Sequence, residues 1–263
     1  MVEPTPSRAA DPAGLVVLVR GDVEELDALR AAWLAAEMVG SPLVGAVLPD
    51  PRPGLDLLRV MAGEAVTRWL DWRDLVIRVA GSTVRCLVVA AATWRAAARA
   101  IWPAVERCAV YIQHRRPAVP ARHVLLAVDS AGTNAALARH LANLPLGPGI
   151  RVTVGHAARP SWACSLAGAL GYAPEVVIPG WEPTLPWPPV PPDAGAACVY
   201  ATPLWGIRAL AHELHPDLVV LGLHAHRLRR PSLAHPTAWV LSRELETDVA
   251  LCPLERDATL SDR

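Results

Sequence analysis

The sequence predicts an α/β protein of two doubly wound domains in tandem, each built on a mostly parallel sheet. Three observations lead there. Short runs rich in Val and Leu, the signature of strands buried on both faces, alternate with stretches of helical periodicity. The connections between them are long enough for crossovers, as parallel strands require. The pattern is also written twice. Val16-Val17 lies over Val124-Leu125 at an offset of 108, Cys86-Leu-Val-Val89 over Asp217-Leu-Val-Val220 at 131, and the segment 106–110 over 246–250 at 140. Order is kept while the offset grows, which is how a duplication with insertions reads. The expected division is a disordered tail at 1–13, a diverged domain at 14–114, a linker at 115–121, a second domain at 122–254 and a tail at 255–263.

Taken in order, the run 15–19 is bounded by Gly14 and Gly21, and Asp22 is placed to cap the helix that follows. Leu26, Leu29, Trp33, Leu34 and Met38 recur at helical spacing, and Gly40-Ser-Pro42 stops that helix before a second strand at 43–48. The runs 75–79 and 84–89 both read as strands, yet four residues between them cannot hold a crossover. They form a hairpin, or one lies outside the main sheet, and the helix due at this point is missing. In the second half, 123–128 reads as a strand, 133–144 as a helix and 150–156 as a strand. The proline-dense tract 179–192 reads as a surface loop of extended character.

Composition narrows function. The 25 acidic and 25 basic residues cancel, which excludes a chain organised around nonspecific nucleic-acid binding. Every basic residue is Arg, so Walker-type NTPases and Schiff-base enzymes are excluded for want of a lysine. The five cysteines, Cys86, Cys108, Cys164, Cys198 and Cys252, form no C-x-x-C, and the polar, proline-bearing opening stretch is not expected to be a secretory leader. Buried thiols in a reducing cytoplasm are the expectation. No apolar run approaches the ~20 residues of a bilayer span.

Three landmarks stand in order in the second half: Ala127-Val-Asp129-Ser130 closing a strand, His215-Pro-Asp217-Leu-Val-Val-Leu-Gly222 later, and a helix ending near Glu244 that leads to Asp248-Val-Ala-Leu-Cys252-Pro253. Together they resemble the universal stress protein family over residues 122–254, and the first half resembles a more diverged copy. The resemblance implies about five parallel strands per domain and pairing through the last strand, between chains or between the halves. Nucleotide-binding members of that family carry G-x2-G-x9-G-[ST] after the fourth strand. Its glycines let backbone N–H groups approach phosphate at a helix start.

Here the motif is damaged. Aligned from Gly222, the second glycine is Ala225, the third is His235 and the hydroxyl position is Pro236. His235 adds bulk where phosphate meets backbone, and Pro236 removes a donor. In the first half no glycine lies between Ala90 and Cys108, so binding in the family manner is not expected there. Arg227, Arg229 and Arg230, with His224 and His226 beside them, offer either a substitute phosphate clamp or a solvated loop. Asp129 and Ser130 stand where open α/β sheets bind ligands, or cap the next helix. The residues assigned to a ligand are therefore Asp129, Ser130, Gly222, His224, Ala225, Arg229, Arg230, His235 and Thr237; no catalytic residue and no metal ligand is assigned.

The remaining signals are weaker. His224-x-His226 with His235 lacks the carboxylate or thiol that a metal site would add. His212 and His215 belong at a helix end. Trp33, Trp69, Trp72, Trp94, Trp102 and Trp239 are expected in core or inter-domain packing. The expected function is a non-enzymatic, cytoplasmic stress-response or regulatory protein with a decayed nucleotide site and no cofactor. Its partner is another protein, a second copy, or its own other half. The alternative is an adenine-nucleotide sensor that holds ATP through the second domain.

Overall fold

The computed structural model describes residues 14–115, 120–128, 137, 140–141, 144, 146–158, 178–179, 195–224 and 236–254. In the first half β1 (Gly14–Val19) is buried along its whole length and leads to α1 (Glu25–Val39). Gly40 ends α1 with φ 61°, its N–H turned back to the carbonyls of Ala36 and Glu37. Then come β2 (Leu43–Val47), α2 (Leu55–Ala62), β3 (Arg68–Leu70), α3 (Trp72–Ala80), β4 (Val84–Ala90), α4 (Ala91–Val105) and β5 (Ala109–Gln113). The second half contributes β6 (Ala121–Val128), β7 (Leu146–Ala158), β8 (Ile178–Pro179), β9 (Gly195–Tyr200), α5 (Pro203–Leu214), β10 (Leu218–His224), α6 (Pro236–Glu244) and β11 (Asp248–Leu254).

Among the described residues eleven strands join one sheet in the order β3-β2-β1-β4-β5-β11-β10-β6-β7-β9-β8. Read outward from the middle, the halves run β5-β4-β1-β2-β3 and β11-β10-β6-β7-β9. Every pairing within these two series is parallel. The central pairing is antiparallel, with Ile112 opposite Val249, Tyr111 opposite Ala250 and Val110 opposite Leu251. Val16 faces Leu87 and Val124 faces Leu218, so 124 minus 16 gives 108 and 218 minus 87 gives 131, the same differences as two of the offsets read from the sequence. For the last strands, Leu87 faces Val110 and Leu218 faces Asp248, and 248 minus 110 gives 138 rather than 140. A two-residue shift keeps the same alternation of faces.

Alternation along β1 feeds two cores. Val16 and Leu18 point to one side, with α4, α5 and α6; Leu15, Val17 and Val19 point to the other, with α1 and α2. Both cores run through both halves. Trp94, Trp102 and Trp239 form a cluster across them, with ring centroids 5.4–6.4 Å apart, and the Trp94 indole N–H donates to Ser242 Oγ at 3.1 Å.

Three expectations need correction. The run 75–79 is not a strand: it lies in α3, where Leu75 and Val79, four residues apart, are buried while Val76 and Ile77 are exposed. The Asp71 carboxylate caps that helix by accepting the Asp74 N–H at 2.8 Å. The crossover helix is thus present, and β3 at 68–70 is the strand before it, so no hairpin forms. The buried face of α1 is its alanine face, Ala28, Ala31, Ala32, Ala35 and Ala36 with Leu29, which lets the helix lie close to the sheet; Trp33 and Met38 are exposed. Asp22 makes no side-chain cap to α1. Most of the expected helix 133–144, and the tract 180–192, lie outside the described residues.

Candidate functional site

In an open doubly wound sheet the ligand crevice lies at the carboxyl ends of the strands where the order reverses. In the first half that point is between β1 and β4. The loop leaving β1 turns at Gly21, whose φ is 102°, and a Cβ there would come within 2.5 Å of the Leu55 nitrogen. Only glycine fits so close to the start of α2. This conformation points the N–H groups of Arg20, Gly21 and Asp22 inward at one spot, and a fully buried carboxylate occupies it, that of Glu25. Its Oε1 accepts the Arg20 N–H at 2.6 Å and the Thr93 hydroxyl at 2.6 Å. Its Oε2 accepts the Gly21 N–H at 2.7 Å and the Asp22 N–H at 3.0 Å. Successive backbone N–H groups of this kind form an anion-binding concavity, and here the anion comes from the chain itself.

On the other side of the crevice β4 ends at Ala90 and α4 begins at Ala91, so no loop separates strand from helix. The opening that remains is a polar cleft of about 270 Å³ lined by Glu24, Ala90, Ala91, Ala92, Arg95, Gln113, His114 and Glu246. His114 Nε2 lies 3.3 Å from the Ser242 carbonyl. Burial, with Arg95 nearby, holds its imidazole below the usual range although Asp248 opposes this.

In the second half the corresponding point lies between β6 and β10. Gly222 sits in β10 opposite Cys252, and a Cβ on it would come within 2.7 Å of Leu254 Cδ1. The glycine therefore has a packing reason to be there, independent of any ligand. His224 ends β10 opposite Leu254, and Thr237 is the second residue of α6, partly buried. Asp129, Ser130, Ala225, Arg229, Arg230 and His235 lie outside the described residues, as do His226 and Arg227. Pro236 is the first residue of α6, where its missing N–H costs the helix nothing. His215 caps α5 in the left-handed region with φ 45°, its N–H donating to the Ala211 carbonyl; its ring lies 5.9 Å from that of His212.

Two of the landmark aspartates hold the chain where it passes between the halves. Asp248, 2 % exposed, accepts the N–H groups of His114 and Arg115, both at 2.8 Å, through Oδ1. Its Oδ2 accepts the Tyr111 hydroxyl and the Arg115 Nε–H, the latter at 3.1 Å. Asp217 accepts the N–H groups of Arg122 at 2.8 Å and His123 at 2.9 Å, and pairs with the Arg115 guanidinium at 2.7 Å. Burial works to raise the Asp217 pKa, but those N–H groups and Arg115 outweigh it and hold the carboxyl below its usual range. Burial first, and then the Asp248 carboxylate, push the Tyr111 phenol well above its ordinary value. Burial also drives the Cys86 thiol up to about 12 and raises Cys108 and Cys252, which makes all three inert.

Sequence reasoning missed Glu25, Thr93 and Arg115. For Glu25 a signal existed: an acid three residues after Asp22, ahead of an apolar run, is the far half of a capping box. It reaches back to the Asp22 N–H as that motif requires. For Thr93 and Arg115, partners 68 and 102 positions away leave no local trace.

No protein-family model and no curated protein matches the chain. Solved structures do. A universal stress protein from Archaeoglobus fulgidus superposes with a TM-score of 0.55 at 12% identity, covering 94% of this chain and 98% of that one. A protein described as a universal stress protein from Pseudomonas aeruginosa gives 0.57 at 18% identity, covering 92% and 93%. A protein of unknown function from Pseudomonas aeruginosa gives 0.55 at 18% identity over the same shares. The chain therefore has the α/β fold of the universal stress proteins, over more than nine-tenths of its length.

Proposed function

We propose that the chain is a non-enzymatic stress-response or regulatory protein of the universal stress type. Two related domains, at 14–114 and 122–254, pair with each other through their last strands, and the protein acts by contact with another protein. The first domain serves as scaffold and takes no nucleotide. The observation that carries this reading is the state of the first crevice: the Glu25 carboxylate fills the concavity after β1, and β4 runs into α4 without a loop. A phosphate would meet a negative charge in the place where it needs N–H donors. In the second domain the replacement of the motif's small residues by Ala225, His235 and Pro236 supports the same reading. Kinship of fold leaves function to the site, so a binding experiment decides.

Thermal shift and calorimetry with ATP, AMP and cyclic AMP at millimolar concentration are expected to give no saturable response. A ligand present at about a hundredfold excess over Kd would stabilise by roughly 2.7 kcal/mol, far above detection. A saturable shift that disappears in the Arg229→Ala/Arg230→Ala double variant would establish the second reading, an adenine-nucleotide sensor clamped by the arginine loop. The cytoplasm is the proposed location; among the described residues no helix is long and apolar enough to cross a membrane.

A further inference from the structure

We propose that the loop of residues 20–22 is an oxyanion receptor whose resident ligand is the Glu25 carboxylate. A chain lacking that side chain would take a free monocarboxylate in its place. The geometry points to recognition rather than incidental contact. Each carboxylate oxygen accepts two hydrogen bonds, four in all at 2.6–3.0 Å, from three backbone N–H groups and one hydroxyl. The donors come from two separate elements, the loop after β1 and the first turn of α4. They converge on a group with no exposed surface. All four are neutral, so the charge is held by aligned dipoles alone, as in sites that bind free anions. The receptor is preformed by features independent of Glu25. Gly21 is locked at φ 102° against the start of α2, and the Arg20 carbonyl accepts the Arg52 N–H from the neighbouring loop. Thr93 is fully buried on α4.

Glu25→Ala keeps Cβ and removes Cγ and the carboxyl group, which together have the shape of acetate. Glu25→Gly also removes Cβ and leaves the shape of propionate. The inference does not rest on the nucleotide reading, because the receptor lies in the first half and binds no phosphate while Glu25 is present.

The test measures thermal stability of wild type, Glu25→Ala and Glu25→Gln in sodium acetate, propionate and chloride at equal ionic strength. For Glu25→Ala, acetate is expected to raise Tm saturably, by about 3 °C at roughly tenfold excess over Kd, with propionate weaker. Wild type and Glu25→Gln, whose pocket stays filled, are expected to respond to the three salts alike. An equal response of Glu25→Ala to acetate and chloride would overturn the proposal. Should Glu25→Ala not fold, amide hydrogen exchange on wild type decides. Arg20, Gly21 and Asp22 are expected to be protected like sheet amides, and exchange at free-loop rates would overturn it.

Discussion

Replacing Asp248 by Asn tests whether the two halves are held by one buried carboxylate. The substitution keeps the shape and removes the charge. Whichever way the amide sits, an NH2 group replaces an oxygen that accepted two hydrogen bonds. On the Oδ1 side it faces the N–H groups of His114 and Arg115; on the Oδ2 side it faces the Arg115 Nε–H and forces the Tyr111 hydroxyl to turn. A hydrogen bond to a charged group contributes about 1.5–3 kcal/mol, and breaking a buried pair from one side costs about 3–5 kcal/mol. Arg115 retains Asp217 at 2.7 Å, which keeps the loss near the lower end. The expected destabilisation is about 3 kcal/mol, or roughly 6–9 °C in Tm for a chain of this size. Urea unfolding followed by tryptophan fluorescence reads it directly, because Trp94 and Trp102 lie in one half and Trp239 in the other. Tyr111→Phe removes a single donor to the charged carboxylate and should cost about 1.5 kcal/mol or somewhat more. A loss below about 1 kcal/mol for Asp248→Asn would refute the idea that this carboxylate clamps the halves together.

Other outcomes follow from the same contacts. Gly21→Ala meets both a positive φ and the Leu55 backbone, so it should destabilise by roughly 2 kcal/mol or more, whereas Gly222→Ala meets the movable end of Leu254 and should cost about 1 kcal/mol; chemical denaturation ranks the two. The Asp217 carboxyl is depressed in the folded chain, so its stabilising contribution is present above the ordinary carboxylate pKa and is lost as pH falls through the lower folded value. Asp217→Asn should flatten that acid limb of a stability–pH curve. Cys86, held at about 12, keeps its proton while an unfolded thiol would lose it, so this group makes stability decline above pH 9. Native protein should leave Cys86 unlabelled by iodoacetamide in mass spectrometry, and labelling without unfolding would contradict its burial.

Much of the architecture was legible because burial writes itself into local composition. The runs read at 15–19, 43–48, 84–89, 123–128 and 150–156 fall on β1, β2, β4, β6 and β7. What misled was α3. Leu75-Val-Ile-Arg-Val79 is β-branched enough to read as a strand, and what settles the matter is Asp71 as cap and the burial of Leu75 and Val79 a helical turn apart. The short β3 and the two-residue β8 carry too few residues for any period to show. The candidate site was legible in unequal measure. Gly222 stood out as a motif glycine, yet its neighbour Leu254 lies 32 positions on, and packing of that kind leaves no mark on the chain nearby. Glu25 looked like one more acid in the first turn of a helix, and its distinction is the convergence of donors from far along the sequence.

The head-to-head join of β5 and β11 has a geometric corollary. Since β1–β4 run parallel to β5, and β6, β7, β9 and β10 run parallel to β11, the join sets the carboxyl ends of these two series at opposite rims of the slab. A molecule seated at one rim cannot touch one seated at the other. Either rim could be sealed, as Glu25 seals the first, without altering the chemistry available at its opposite. Between the rims lie the β5–β11 pairing, the Asp248 contacts and the Trp94–Ser242 hydrogen bond.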